Sequence, residues 1–275
     1  MRVAISAIAL LTCASLASAA DLGKPSYGGS LKDEPTVAAP ATWTGLYVGA
    51  HAGYGWGEHS GTGVYADENV SLDLFDGSFD LEGALAGGQI GFNLQSGSFL
   101  IGIEGDGSWA NIDGSGSFSF DQGTSPAPDY TWNLDTKVDW LASLRGRIGL
   151  LATPALLIYG TAGVAWAGLE THSEVICHQD NCPKGNNPTT VLASASETAV
   201  GWVAGLGAEW QFGRGWSLKA EWQHYEFDDV DGKLKGVAYP NNDPKPMQPN
   251  YTNDTFPGDV TIDAVRVGVN YKFGG

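Results

Sequence analysis

Two of the three cysteines and all five histidines are the side chains in this 275-residue sequence best suited to hold a metal or form a cross-link. Cys177 and Cys182 stand in a C-x4-C arrangement with His172 and His178 beside them. In an exported chain such a pair reads as a structural disulfide. The competing reading, a His/Cys zinc site, asks for four ligands and for thiolates that survive an oxidising surface. A second set is charged: Glu104, Asp106, Arg145, Arg147, Glu209, Lys219, Glu221, Arg266 and Lys272. Side chains of these types could serve as acid and base or as a selectivity ring; they could equally form a salt-bridged plug, because buried charge persists only when it is paired. Gly53, Gly55 and Gly57 recur at a spacing of two, the rhythm of a strand rather than of a phosphate-cradling loop. His224 with Asp228 and Asp229 is the nearest approach to a catalytic cluster, and there is no serine or cysteine nucleophile motif. The expectation is therefore a protein without catalysis and without a metal or other resident cofactor.

What could position the charged set is clearest in the closing stretch, Val260 to Phe273. Val265, Val267, Val269, Tyr271 and Phe273 alternate there with Arg266, Gly268, Asn270 and Lys272. A strict period of two is a β-strand with one apolar and one polar face. Seven earlier stretches show the same rhythm: about 43–57, 84–95, 99–112, 137–151, 156–169, 198–212 and 216–227. Tight turns fall at Gly97-Ser98, Thr153-Pro154-Ala155 and Gly213-Arg214-Gly215, and a leading glycine in a two-residue turn suits type II′. Pivoting on these turns pairs Gln89 with Asp106 and Phe92 with Ile103, then Glu209 with Lys219 and Trp210 with Leu218. Each face thus stays chemically consistent across its hairpin. Long polar connections, about 58–82, 113–135, 170–197 and 228–259, alternate with the short turns.

Eight strands, three short turns and four long loops predict an all-β fold: an eight-stranded antiparallel up-and-down transmembrane β-barrel with short periplasmic turns and four long extracellular loops. The closing strand should pair with the first. A barrel of this size has room inside only for side chains, and the polar face carries all the charged residues named above. The apolar face carries no Asp, Glu, Lys or Arg at mid-strand, as lipid requires, since a cation at the bilayer midplane costs roughly 2 to 4 kcal/mol. Trp43, Phe212, Trp216, Tyr271 and Phe273 fall at the turn-side ends of strands, and Trp56, Trp140, Trp166, Trp202 and Trp222 fall toward the loops. Two aromatic girdles at the two interfaces are what amphipathic rings prefer. A soluble barrel would reverse these faces.

Composition agrees. The chain has 39 glycines and only 16% charged residues, and its net charge of −17 with no run among 14 Lys and Arg excludes a nucleic-acid partner. Residues 1–20, with one Arg, a short apolar core and Ala17-Ser18-Ala19, read as a signal peptide. Residues 21–42, with Pro25, Pro35 and Pro40, read as a flexible periplasmic tail, leaving 43–275 as the barrel.

The head ending S-A-A-D, the opening W-T-G-L-Y-V-G-A-H-A-G-Y-G-W-G, the L-R-G-R-I-G and A-E-W-Q strands and the closing V-R-V-G-V-N-Y-K-F resemble the small outer-membrane β-barrel family. More narrowly, they resemble the outer-membrane immunogenic, porin-like proteins of alphaproteobacteria, over nearly all of the chain beyond its exported head. The resemblance implies an abundant surface protein in the outer membrane of a Gram-negative bacterium, with loops outside and both termini periplasmic. Its partners would be outer-membrane lipid and the barrel-assembly machinery, which reads a terminal aromatic; here Gly274 and Gly275 follow Phe273. Haem binding or host-cell adhesion through the loops is described for some relatives. His51, His59, His172, His178 and His224 are the candidate axial ligands, and the alternative is that they are ordinary rim histidines. A structural barrel with a filled interior is thus the first reading, and a haem-binding barrel or narrow porin the second.

Overall fold

The computed structural model describes residues 42–67, 70–120, 130–177, 189–230, 235–240, 247–251 and 258–273. Its strands are β1 (Gly45–Asp67), β2 (Val70–Ser96), β3 (Phe99–Phe120), β4 (Tyr130–Thr153), β5 (Leu156–Cys177), β6 (Thr189–Gln211), β7 (Trp216–Val230), β8 (Lys235–Pro240), β9 (Met247–Tyr251) and β10 (Gly258–Lys272). All pair antiparallel. Eight of them, β1 to β7 and β10, form a closed ring, in which β5 pairs with β6 and β10 lies between β7 and β1. Strands β8 and β9 extend the far end of β6 outside that ring, where Thr189 to Ser194 pair with β8.

The register follows from turn chemistry and alternation. Gln89 stands opposite Asp106 and Phe92 opposite Ile103; Glu209 stands opposite Lys219 and Trp210 opposite Leu218. Gly97 has φ 61° and Gly215 φ 78°, left-handed values that glycine adopts without strain. The closing strand pairs with the first from Tyr47↔Lys272 to Gly61↔Gly258.

Between the turns, the long connections are themselves largely strand. Residues 58–67 and 70–82 prolong β1 and β2, 113–120 and 130–135 prolong β3 and β4, and 170–177 and 189–197 prolong β5 and β6. The signal peptide, nearly all of the N-terminal tail and the two terminal glycines lie outside the described residues.

The ring has two bands along its axis, and their polarity is opposite. In the turn-side band the outward residues are apolar: Ile90, Ile101, Ile103, Leu144, Ile148, Leu206, Val265 and Val267 are all exposed. The inward residues there are largely polar and charged, with one small apolar group of Trp43, Leu100, Leu157 and Tyr159 among them. In the distal band, away from the turns, the outward side carries exposed Glu58, Asp80, Glu82, Asp113, Asp135, Asp228 and Asp259. Inside it a buried apolar cluster forms from residues including Leu81, Leu85, Ile112, Leu134, Val138, Leu169, Phe227 and Ile262. One irregularity helps make this change. The ladders between β3, β4 and β5 shift register at Trp109/Ile112 and Val138/Trp140. Below the shift Leu141, Ser143, Arg145 and Arg147 point inward; above it Trp132, Leu134, Thr136 and Val138 do. Val138, two positions before the outward Trp140 and so in step with it by simple alternation, is thus turned into the interior, because an extra residue in a strand reverses which face its successors occupy.

Candidate functional site: a buried charge layer

Inward-facing residues on β3, β4, β6, β7 and β10 converge on one layer of the interior. Period-two alternation puts Glu104 and Asp106 on the same face of β3, Arg145 and Arg147 on that of β4, and Lys219 and Glu221 on that of β7. Arg145 is the hub. Its Nη2 donates to Glu104 Oε1 at 2.6 Å and Asp106 Oδ2 at 3.0 Å, and its Nη1 donates to Glu221 Oε1 at 2.6 Å. Lys219 Nζ donates to Glu104 Oε1 at 2.9 Å and lies 3.2 Å from Glu221 Oε2. Arg266 Nη1 donates to Asp106 Oδ1 at 2.7 Å. Arg147 pairs with Glu209, which also accepts from Asn270 Nδ2 at 2.8 Å.

Four cations, Arg145, Arg147, Lys219 and Arg266, therefore meet four carboxylates, Glu104, Asp106, Glu209 and Glu221, in a layer that is formally neutral. All eight are buried. Neutrality matters because isolated charges in a dry interior cost several kcal/mol each, whereas bidentate and multiply paired ones recover most of that loss. Three phenols complete the layer. Tyr47 OH donates to Glu104 Oε2 at 2.6 Å. The Arg147 guanidinium lies 3.6 Å from the Tyr159 ring centroid, and that of Arg266 lies 5.5 Å from the Tyr225 ring. A smaller polar chain runs beside it: His51 bonds Gln89 and, at 2.7 Å, Ser108 Oγ, and Gln89 Nε2 donates to Asn270 Oδ1 at 2.7 Å.

Apolar layers lie on both sides of this network. On the distal side is the apolar cluster of the inverted band. On the turn side Trp43, Leu100, Leu157 and Tyr159 pack together. Trp43 is fixed there by its backbone N–H, which donates to Gln95 Oε1 at 2.8 Å, and by its indole N–H, which donates to Pro154 O at 3.2 Å. This corrects its place in the outer girdle: with 2% of its surface exposed, Trp43 closes the interior instead. Lys272 is corrected too. Its Nζ reaches Thr42 Oγ1 and Thr44 O at 3.4 Å at the turn-side rim, too far down the strand to join the charge layer.

The remaining candidates are scattered. Trp56, Trp140, Trp202, Phe212, Trp216, Trp222, Tyr271 and Phe273 are exposed on the outer face, and Trp166 is half-buried. Trp109, the most exposed aromatic among the described residues at 81%, stands opposite Trp140 and extends the distal girdle. His224 packs outside between Trp202 and Trp222, with its Nδ1 3.0 Å from Asp263 Oδ1. His172 is exposed on β5, while His59 is buried in the distal band, with Nδ1 3.0 Å from Thr136 Oγ1. The four histidines among the described residues are thus not gathered at one rim, and among those residues no group of three His, Cys, Asp or Glu could hold a metal ion. His178 and Cys182 lie outside the described residues, and with them the proposed disulfide. Sequence reading overlooked Tyr47, Tyr159 and Tyr225; all three stand at inward positions of their strands, in step with Gly49, Thr161 and Glu221.

Comparison with known proteins agrees with this architecture. The family model described as "Outer membrane protein beta-barrel domain" matches residues 5–273. The 31 kDa outer-membrane immunogenic protein of Brucella melitensis is 30% identical over 248 residues, covering 87% of this chain and 88% of that protein. The 25 kDa outer-membrane immunogenic protein of Brucella canis is 26% identical over 273 residues, covering 96% and 94%. The 22 kDa outer membrane protein of Rhizobium leguminosarum bv. viciae is 24% identical over 208 residues, covering 75% and 74%.

Proposed function

The chain belongs to the outer membrane protein β-barrel family, and on that premise we propose that it is a structural barrel of the outer membrane with a sealed interior and no catalytic role. The observation that carries this reading is the layering of the interior. A formally neutral layer, in which each charged side chain has an ion-pair partner, lies between two clusters of apolar side chains, and this packing supports an interior closed to solutes. A pore needs a continuous polar path, and a catalytic carboxylate needs a substrate beside it. The outward apolar band meets lipid, with the turns and both termini on the periplasmic side and the long hairpins outside the cell. Residues 1–20 are removed as a signal peptide, 21–42 remain as a periplasmic tail, and the closing strand with Tyr271 and Phe273 is what the assembly machinery reads. The relatives' designation as immunogenic outer-membrane proteins supports surface exposure of the distal hairpins.

Conductance of the refolded protein in a planar bilayer tests this directly. A sealed barrel leaves the membrane at its baseline conductance, with or without haem. Steady unitary steps would restore the porin reading.

A further inference from the structure

The turn-side rim of the ring has one sector unlike the rest. Of the three tight turns, Gly97-Ser98 and Thr153-Pro154-Ala155 carry no charge, whereas Gly213-Arg214-Gly215 between β6 and β7 presents Arg214, exposed at its tip. The end of β10 lies against that turn, where the Lys272 backbone N–H donates to Gly215 O at 2.7 Å. Gly215 makes the approach possible. Its φ of 78° is a left-handed value, and a Cβ there would come within 2.8 Å of Lys272 O and 3.2 Å of the Tyr271 ring. The two cations of the rim thus share one sector, and Lys272 Nζ is held beside it by Thr42 Oγ1 and Thr44 O, each 3.4 Å away.

Aromatic rings gather in the same place. Phe212, Trp216, Tyr271 and Phe273 are exposed on the outer face, with ring centroids 5.0 Å apart for Trp216 and Tyr271 and 5.2 Å apart for Tyr271 and Phe273. The flanks of the other two turns are mostly aliphatic, with Leu94 and Ile101 at one and Leu150 and Ile158 at the other. Among the described residues of the rim, 42–46, 95–100, 149–157, 210–217 and 271–273, Arg214 and Lys272 are the charged side chains, and neither Asp nor Glu occurs. The outer face of the distal band has the opposite sign.

We propose that this sector docks the headgroup of an anionic phospholipid, with Arg214 and Lys272 on its phosphodiester and the aromatic rings against its glycerol and upper acyl chains. The proposal rests on the reading that lipid surrounds the turn-side band, and adds to it a preferred lipid. A guanidinium matches a pair of phosphate oxygens. An ammonium has three donors, and with Thr42 and Thr44 taking two of them, Lys272 keeps one for an outside acceptor. Indole and phenol rings settle at headgroup level, which sets the height of the phosphate against the two cations. A zwitterionic headgroup offers the same phosphate but brings a cation of its own, which meets like charge here; an anionic headgroup does not.

Native mass spectrometry of the full-length protein, folded in a non-ionic detergent with equal amounts of phosphatidylglycerol and phosphatidylcholine of the same acyl chains, reads this out. Each basic group close to an anionic headgroup supplies about a 5-fold preference, so the parent should retain phosphatidylglycerol roughly 25-fold over phosphatidylcholine. Arg214→Gln, at an exposed turn tip, should reduce that to about 5-fold, and Arg214→Gln with Lys272→Gln should retain the two lipids equally. Lys137→Gln, which removes a half-exposed cation of the distal band, should leave the preference unchanged. A millimolar excess of inorganic phosphate should not displace the lipid, since it gives the aromatic rings nothing to hold. Equal retention of the two lipids by the parent would overturn the proposal, as would a preference that survives the double substitution or disappears with inorganic phosphate. The lipid-facing band would stand in each of these cases, because it does not depend on which headgroup is preferred; uptake of neither lipid would overturn both.

Discussion

The two bands of this ring obey opposite rules within the same strands. On β10, Val265, Val267 and Val269 point outward while Arg266 and Asn270 point inward; a few residues earlier Val260 and Ile262 point inward while Asp259 and Asp263 face out. On the reading proposed above, lipid surrounds the turn-side band, so the cheapest arrangement puts aliphatic side chains outside and confines charge to a narrow interior where it can pair. On the same reading water surrounds the distal band, and the hydrophobic effect again drives apolar side chains inward as in any soluble barrel. What decides whether an inward position is greasy or charged is therefore the solvent beyond the wall, not the strand itself.

This contrast makes graded predictions. The largest effect should come from the turn-side interior. Arg147→Met leaves Glu209 buried without its guanidinium and should destabilise the barrel by about 3 to 5 kcal/mol in urea unfolding from bilayers, while Arg147→Met with Glu209→Met should recover much of that loss. Equal stabilities for the single variant and the parent would mean that the layer is hydrated rather than sealed.

How much of this contrast could be read beforehand depends on the band. Pairings such as Glu209 with Lys219 were legible because a tight turn fixes register and each face keeps one polarity close to that turn. The distal band was hidden by its own chemistry. Glu58, Asp80, Glu82, Asp113 and Asp135 make those stretches look like polar loops, although Phe79, Leu81, Leu134 and Val138 keep a period of two between them. The reversal of faces at Val138/Trp140 leaves no trace in composition, since a register shift is a property of three neighbouring strands together. Trp43 shows a further gap: a tryptophan at a strand end reads as girdle, and only the acceptors at Gln95 and Pro154 turn it inward.

A smaller loss is expected from the distal interior. Leu81→Ala removes a fully buried side chain from a core packed like that of a soluble protein and should cost about 2 to 5 kcal/mol, appearing as weakened protection of the distal strands in hydrogen exchange. The same truncation outside the turn-side band, Leu144→Ala, should lower stability less, because that side chain is half-exposed to lipid in any case. Outward arginines sharpen the contrast further. Val267→Arg should destabilise by about 2 to 4 kcal/mol by placing a cation among acyl chains, whereas Ser78→Arg, outward on β2 in the distal band, should stay within about 0.5 kcal/mol of the parent. Matching penalties at the two positions would argue that one solvent surrounds both bands.

The most direct test of the two-band account is a nitroxide scan along the outer face of β10. Single cysteines at 269, 267, 265, 263, 261 and 259, in a background with Cys177 and Cys182 replaced by serine, would be spin-labelled and reconstituted in lipid vesicles. The account predicts that labels at 269, 267 and 265 collide preferentially with oxygen, which partitions into the bilayer, and that those at 261 and 259 collide preferentially with a water-soluble nickel chelate, with the crossover near 263. Oxygen-dominated collisions at all six positions would contradict it.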